Sequence, residues 1–296
     1  MNDFIELLAA NSGISKSRVK YIIKNGPFLY KDYFINKNDG SKRLISVPRS
    51  DLKSIQKSIL KDILYKKISP NPYVHGGVIG RSIVTNAKNH VGKKCVVCLD
   101  IKNFFPSTHM SKLEKSLLNY FSANEAKILI RLTTKNYSLP QGAPTSPFLS
   151  NLALSSCDED IKNFCLKSNL DYSRYFDDIT ISGNGACKFL SKITKIINQS
   201  GFSTNLKTKI QHEGKEQIVT GIVVNKKMTL RSSDIKLLKT VIESFKVNGF
   251  LAFETDNFVK ELEIINGKIA FLNQVNFTLG GKLNVDFSKI RKDLGL

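Results

Sequence analysis

With 296 residues, 41% hydrophobic and 24% charged, the chain can bury a sizeable core in one large domain or two or three subdomains, and its composition excludes disorder. No run approaches the roughly eighteen consecutive apolar residues of a membrane span, and five cysteines at irregular spacing exclude a disulfide framework. Its 45 Lys+Arg against 25 Asp+Glu give a formal +20, which points to a polyanionic partner, nucleic acid in preference to an anionic membrane surface.

The opening MNDFIELLAANSG carries acids early and lacks a basic-then-apolar leader, so a soluble, cytoplasmic protein is expected. Residues 2–11 and 15–25 read as short helices, the second basic and closed by Asn25-Gly26-Pro27. YKDYFINK and SKRLISVP read as strands joined by a turn at Asn38-Asp39-Gly40. Residues 51–68 form an amphipathic helix. Leu52, Ile55, Ile59, Ile63 and Leu64 line one side, and Lys53, Lys57 and Lys61 recur four apart elsewhere. NPYVHGGVIGRS is a glycine-rich loop leading to a helix from Ile83 to about His90.

KKCVVCLDI, residues 93–101, is a buried strand ending on Asp100. Alternation sends Cys95 and Cys98 to opposite faces; with no second CxxC, they read as buried thiols rather than a zinc site. Ser111 and Glu114 offer a capping box for SKLEKSLLNYF. A further helix spans about 124–133, and LPQGAPTSP feeds another from about 148 to 167. RYFDDITISG then places two acids at a hairpin tip or strand edge. A helix over 187–199 ends at Gly201, and strands follow around 202–205 and 216–225. From Ser232 the pattern is helical, with a strand-like end at LGGKLNV. The order from 93 to 225 predicts an antiparallel sheet backed by helices, an α+β layer flanked by basic lobes.

Asp177 and Asp178 raise a physical question, because Asp is disfavoured in strands and neighbouring like charges repel. Divalent cations answer it, turning repelling acids into ligands. Two-metal phosphoryl transfer needs carboxylates converging on ions roughly 3.5–4 Å apart. Mg²⁺ takes oxygen ligands and keeps water and substrate phosphate in its shell, so two or three carboxylates suffice. Asp100, closing VVCLD, is the candidate third. A lone DD usually marks an exposed turn, and an Asp at a strand end is commonly a cap or turn. Together, in so basic a chain, the three point to a polymerase or nuclease.

VVCLDIKNFFPS, LPQGAPTSP and YFDDITIS resemble, in this order and spacing, the three palm motifs of reverse transcriptases, the last being the Tyr-x-Asp-Asp box. Asn86-Ala87-Lys88-Asn89-His90 is similar to NAxxH and Val219-Thr220-Gly221 to VTG, which together mark bacterial retron reverse transcriptases. The likeness runs from about Lys42 to Asn225, with a weaker likeness to a short thumb beyond. It implies an α+β right-hand polymerase with helix-rich fingers over 1–92, an antiparallel-sheet palm over 93–225 that lends part of the fingers around 111–138, and a small, mainly helical thumb or RNA-binding region over 226–296.

The resemblance also implies roles. Asp100, Asp177 and Asp178 match the catalytic metal-binding triad, with the carbonyl of Ile101 a further ligand, for two Mg²⁺ ions that Mn²⁺ can replace. Phe105 matches the steric gate against a ribose 2′-hydroxyl, with Phe104 beside it as core. Gln141 and Gly142, after Pro140, match the loop beneath the incoming base pair. Arg43 matches the residue that grips the dNTP triphosphate, its planar fork suiting phosphate oxygens. Lys207 matches the lysine that protonates pyrophosphate, with Lys209 a rival. Arg81, Asn86, His90, Val219, Thr220 and Gly221 are candidate RNA or template contacts, although Arg81 equally reads as structural, His90 as a core histidine, Asn86 and His90 as a brace, and Thr220-Gly221 as a strand end. Phe176 stands where many retron enzymes carry Ala, a departure bearing on fidelity or rate rather than activity.

The implied activity is RNA-directed DNA synthesis on a structured noncoding RNA serving as template and primer, started from an internal guanosine 2′-hydroxyl to give branched RNA–DNA. The implied setting is bacterial antiphage defence with an effector protein and no membrane. Three alternatives stand beside it: a reverse transcriptase of group II intron or diversity-generating lineage, a nonenzymatic RNA-binding protein on a polymerase scaffold, and a two-metal nuclease.

Overall fold

A computed structural model describes residues 2–37, 40–205, 208–249, 258–293 and 295. Helices α1 (Asn2–Ser12) and α2 (Lys16–Asn25) come first, the latter capped by the Ser15 hydroxyl, which accepts from the Arg18 amide. Strands β1 (Tyr30–Asn36) and β2 (Lys42–Pro48) pair antiparallel; Asn38 and Asp39 of the expected turn lie outside the described residues. Helix α3 (Ser50–Ser58) passes through a π-helical stretch, Ile59–Leu64, into α4 (Tyr65–Lys67). Its Leu52, Ile55, Ile59, Ile63 and Leu64 are buried and its Lys53, Lys57 and Lys61 exposed, as the amphipathic pattern predicts. After the glycine-rich loop comes α5 (Ile83–Lys88), opened by a reciprocal box between Ser82 and Thr85.

The middle of the chain supplies β3 (Cys95–Asp100), α6 (Phe104–Ser107), α7 (Met110–Leu117), α8 (Ala123–Thr133), α9 (Ser146–Lys167), β4 (Asp171–Tyr175), β5 (Asp178–Ser182), α10 (Leu190–Gln199) and β6 (Lys209–His212). Its end supplies β7 (Ile218–Val219), β8 (Ile222–Val223), α11 (Ser232–Asn248), α12 (Phe258–Val275) and α13 (Phe277–Asp293). Strands β4-β5-β3-β6 form one antiparallel sheet in that order, the α+β arrangement expected.

Period-two alternation gives this sheet two different faces. Val97 and Leu99 of β3, Ile101 just after it, and Ile179 and Ile181 of β5 point into a core with Leu154, Cys157 and Ile161 of α9 and Ile193 and Ile197 of α10. Val96 faces the other way, into a cluster with Ala87 of α5, Val219, Ile222 and Val224, and Val275 of α12. The N-terminal helices and α3 share a separate core with α7, α8 and the loop before α9, so residues around 111–138 pack with the N-terminal lobe. Helices α11, α12 and α13 have a core of their own.

Several elements differ from expectation. The capping box read at Ser111 and Glu114 belongs instead to Ser122 and Glu125 of α8, while α7 is capped by His109 Nδ1, which accepts from the Ser111 amide. Residues 202–205 contribute a single bridge, Thr204 to Ile101, rather than a strand, and β6 was not foreseen. The strand expected over 216–225 is a tight hairpin, β7-β8, turned by Thr220 and Gly221 with φ of +46° and +88°. Positive φ at both central residues is what a type I′ turn requires, and glycine tolerates it without strain. LGGKLNV lies inside α13. There Gly280 is pressed against the backbone of Asn273 on α12, where a Cβ would collide, so this glycine serves a close helix crossing.

Candidate active site

Asp100 ends β3 and is the direct cross-strand partner of Asp178, which begins β5. Both belong to the alternation opposite the α9–α10 core, so their side chains share one sheet face. Farther along that face α5 and the β7-β8 hairpin cover the sheet; at the carboxylate end Asp178 is exposed and Asp177 half-buried. Asp177 occupies the two-residue turn between β4 and β5, and its carbonyl accepts from the Ile101 amide at 3.0 Å. Three acids far apart in sequence thus meet.

Their electrostatics suit the binding of cations. Among the described residues no Lys or Arg forms an ion pair with any of the three. Although Asp178 is exposed as a residue, desolvation around its carboxyl, then the Asp177 and Asp100 charges, push that group up to about 6, against the opposing pull of Lys209. Asp177 is also held above the ordinary carboxylate range, by burial first and then by Asp100, while its own amide and the Arg43 charge oppose. Oxygen-only donors with unneutralised negative charge fit hard divalent ions such as Mg²⁺. The acids are not drawn into a cluster with all donors within 4.8 Å. Asp100 Oδ2 instead accepts from the Asn205 amide side chain, and the Asn205 backbone amide donates to the Asp100 carbonyl at 2.7 Å.

A buried ion pair props the turn from below. Arg174 and Asp158 are both fully buried and bonded twice, Nε to Oδ1 at 2.7 Å and Nη2 to Oδ2 at 2.6 Å. Arg174 Nη1 also donates to the Phe176 carbonyl at 2.8 Å and to Asn151 Oδ1 at 2.9 Å. Phe176 needs this support, because its φ of +53° is a left-handed conformation costly for a bulky residue. Its ring lies on Gly76 and Gly77; a Cβ on Gly77 would come within 2.8 Å of it. The ring also faces Phe105 at 6.5 Å, and Phe105 in turn faces Phe104 at 5.6 Å. Phe104 is buried and Phe105 half-buried.

The loop beneath the site is docked on the N-terminal hairpin. The Ser46 amide of β2 donates to the Gln141 carbonyl at 2.7 Å. Gly142 has φ +110°, and a Cβ there would meet Ile45 Cγ2 at 2.9 Å and the Ser46 carbonyl at 3.1 Å. Arg43 is exposed on β2, and its charge is felt at Asp177. Lys207 lies outside the described residues, whereas Lys209, exposed on β6, acts on Asp178.

Four candidate RNA contacts are corrected. Asn86 and His90 are fully buried, as is Val219, so none is presented to a ligand. The Ser173 hydroxyl donates to Asn86 Oδ1 at 2.7 Å, which leaves it to accept from His90 Nε2–H, also at 2.7 Å. His90 Nδ1 then accepts from Ser182 at 2.7 Å, so a neutral imidazole bridges β4 and β5. Burial drives its pKa down to about 3. NAxxH is therefore a brace, joined to VTG through Asn86 and Thr220 at 3.5 Å. Arg81 also turns inward, Nη1 donating to the carbonyls of Asn71 and Val74, both at 2.5 Å. Gly221 stays exposed and Thr220 half-exposed.

Sequence reasoning missed Arg174, Asp158, Asn151, Asn205 and the Gly76-Gly77 seat. Arg174 directly precedes the quoted YFDD; its one signal was a charge inside a strand, while Asp158 had none within the polar run SSCDED.

The family described as "Reverse transcriptase (RNA-dependent DNA polymerase)" matches residues 35–238. Retron Se72 reverse transcriptase of Salmonella heidelberg is 30% identical over 301 residues, covering 97% of this chain and 79% of that one. Retron Ec86 reverse transcriptase of Escherichia coli is 28% identical, over 100% of this chain and 91% of its relative. Retron Mx162 reverse transcriptase of Myxococcus xanthus is 30% identical over 75% of this chain but only 53% of its own. In structure, apo telomerase from Candida Tropicalis superposes with a TM-score of 0.51 at 13% identity, over 89% of this chain and 58% of that one, a likeness of fold alone. An α+β right-hand architecture, the three ordered motifs and these relatives establish that the chain belongs to the reverse transcriptases, RNA-directed DNA polymerases, and among them to the retron enzymes.

Proposed function

We propose that this polymerase copies a structured noncoding RNA by two-metal phosphoryl transfer, primed from an internal guanosine 2′-hydroxyl to give a branched RNA–DNA product. The facing pair Asp100–Asp178, with Asp177 in the adjoining turn on the uncovered end of the sheet, is the observation that carries the chemistry. The three carboxylates and the Ile101 carbonyl would hold the divalent ions. Bound there, such ions activate the attacking hydroxyl and neutralise the leaving pyrophosphate. The protein contributes position and charge. In this reading Arg43 grips the triphosphate, Gln141 and Gly142 form the floor under the new base pair, and Phe105 bars a 2′-hydroxyl. In the same reading Lys207 protonates the leaving pyrophosphate, with Lys209, whose charge opposes the rise at Asp178, as its rival.

We assign 1–92 to the fingers, 93–225 to the palm and 226–296 to the thumb and RNA-binding region; the shared core of α1–α3 with α7 and α8 supports counting 111–138 with the fingers. A net charge of +20 supports an RNA partner, with Lys53, Lys57 and Lys61 tracking the backbone, and implies affinity that falls steeply with salt. Among the described residues no helix is long and apolar enough to cross a membrane, consistent with a cytoplasmic setting. The retron relatives' family suggests work beside an effector protein in antiphage defence.

The test uses purified protein, Mg²⁺, dNTPs and RNA transcribed from the DNA flanking its reading frame. DNA that stays covalently joined to RNA through denaturation, and is freed by a debranching enzyme, is expected. DNA made only from an added primer would reject 2′-hydroxyl priming, and RNA binding without incorporation would reject the enzymatic reading.

A further inference from the structure

At the opposite end of β3 from Asp100 lies a second cluster with no part in this chemistry. Cys95, Cys187 and His212 bring two sulfurs and one imidazole nitrogen within 4.8 Å of one another, the one such trio of His, Cys, Asp or Glu among the described residues. They come from three elements. Cys95 opens β3, His212 closes β6 and is its direct cross-strand partner, and Cys187 sits in the 3₁₀ turn Ala186–Phe189 before α10. Cys95 is buried, Cys187 half-buried and His212 exposed. The CxxC spacing misdirects here: Cys98 is on the other face, its thiol toward the Ile218 carbonyl at 3.6 Å.

We propose that Cys95, Cys187 and His212 form a binding site for one zinc-like divalent cation, with water in the fourth position beside the exposed imidazole. Thiolate and imidazole select soft or borderline ions, as the Asp triad selects hard ones, so the two sites do not compete for one metal. Tetrahedral zinc with bonds of roughly 2.0–2.3 Å needs donors about 3.3–3.8 Å apart, so the trio needs to close by only about an ångström. Binding releases the Cys95 and Cys187 thiol protons to solvent while His212 coordinates as neutral imidazole; oxidation states do not change. The ion would fasten edge strand β6, and with it Lys209, to β3 at roughly 17 Å from the carboxylates, five residues at about 3.3 Å each.

The test is Co²⁺ titration of the reduced, chelator-stripped full-length protein in excess Mg²⁺, read by absorbance. A thiolate-to-cobalt charge-transfer band saturating at one equivalent is expected, bleached by Zn²⁺. It should vanish in Cys187→Ser and weaken in His212→Ala, both altered at positions that are not fully buried, and persist in Cys98→Ser. Zn²⁺ should raise the Tm of the native chain but not of Cys187→Ser, whose circular dichroism reports whether it is folded. Absence of the band, its survival in folded Cys187→Ser, or an intact mass two hydrogens lighter with zinc present, meaning that a Cys95–Cys187 disulfide forms in preference, would overturn the site. Polymerase activity on a primed RNA is a separate readout, so failure here leaves the Asp triad untouched.

Discussion

Replacing Arg174 with methionine tests whether the Phe176-Asp177 turn is held by the buried ion pair beneath it. Methionine keeps much of the length but removes four hydrogen bonds: two to Asp158, one to Asn151 and one to the Phe176 carbonyl. Stranding one charge of a fully buried pair costs about 3–5 kcal/mol. The freed Phe176 carbonyl adds about 1 kcal/mol, at the low end for an unsatisfied polar group because it is only partly buried. A loss near 5 kcal/mol is therefore expected, a large share of the 5–15 kcal/mol typical of a folded domain (about). Denaturant midpoints followed by circular dichroism at fixed slope measure it. The double variant Arg174→Met/Asp158→Leu removes the stranded charge and should recover most of the stability. It leaves the strained Phe176 turn unsupported, so primer extension should stay about 10²-fold down, the penalty of misplacing Asp177 by about an ångström. A single-variant cost below about 1 kcal/mol, or a double variant that regains stability and activity together, would refute this reasoning.

Phe105→Val should raise ribonucleotide incorporation, and Phe176→Ala should do so more weakly by loosening the ring that faces Phe105; competition between dNTP and rNTP in single-nucleotide extension checks both, and unchanged selectivity in Phe105→Val would contradict the gate. Gly142→Ala must adopt a φ of +110° with its Cβ against Ile45 and Ser46, a strain of about 1–3 kcal/mol, so kcat/KM for dNTP should fall about 10- to 100-fold with little loss of RNA affinity. His90 and His75, lowered by burial to about 3 and about 4, are protonated more readily unfolded than folded. Stability is therefore full above the unfolded pKa of about 6.5 and declines as pH falls toward 3, with His90 alone costing about 2 kcal/mol at pH 5. His90→Gln should flatten that acid slope in Tm measurements, and an unaltered slope would show that His90 is not the neutral brace described.

The legible parts of this molecule were those where local chemistry and tertiary role coincide. The row of lysines at 53, 57 and 61, the Asp closing β3 and the paired acids of the turn each follow from periodicity and charge. Where the two diverge, reading along the chain left the choice open. NAxxH reads equally as an RNA contact and as a brace, and only the fold decides, because Asn86 and His90 spend their polarity on Ser173 and Ser182, partners some ninety residues away. LGGKLNV reads as strand-like because nothing local announces that Asn273 presses on Gly280. Arg174 and Asp158 are unreadable singly, since each is improbable in a core without the other. The same holds for the Cys95–Cys187–His212 trio, which only the sheet register assembles.

The most direct measurement is single-nucleotide incorporation on an oligonucleotide-primed RNA template with Mg²⁺, comparing the native chain with Asp177→Asn. Losing one carboxylate from the cation site forfeits several kcal/mol of transition-state stabilisation, so a rate drop of at least about 10³-fold is expected, with the fold and RNA binding retained. Incorporation at the native rate in Asp177→Asn would mean that the three facing acids are not where the nucleotide is joined.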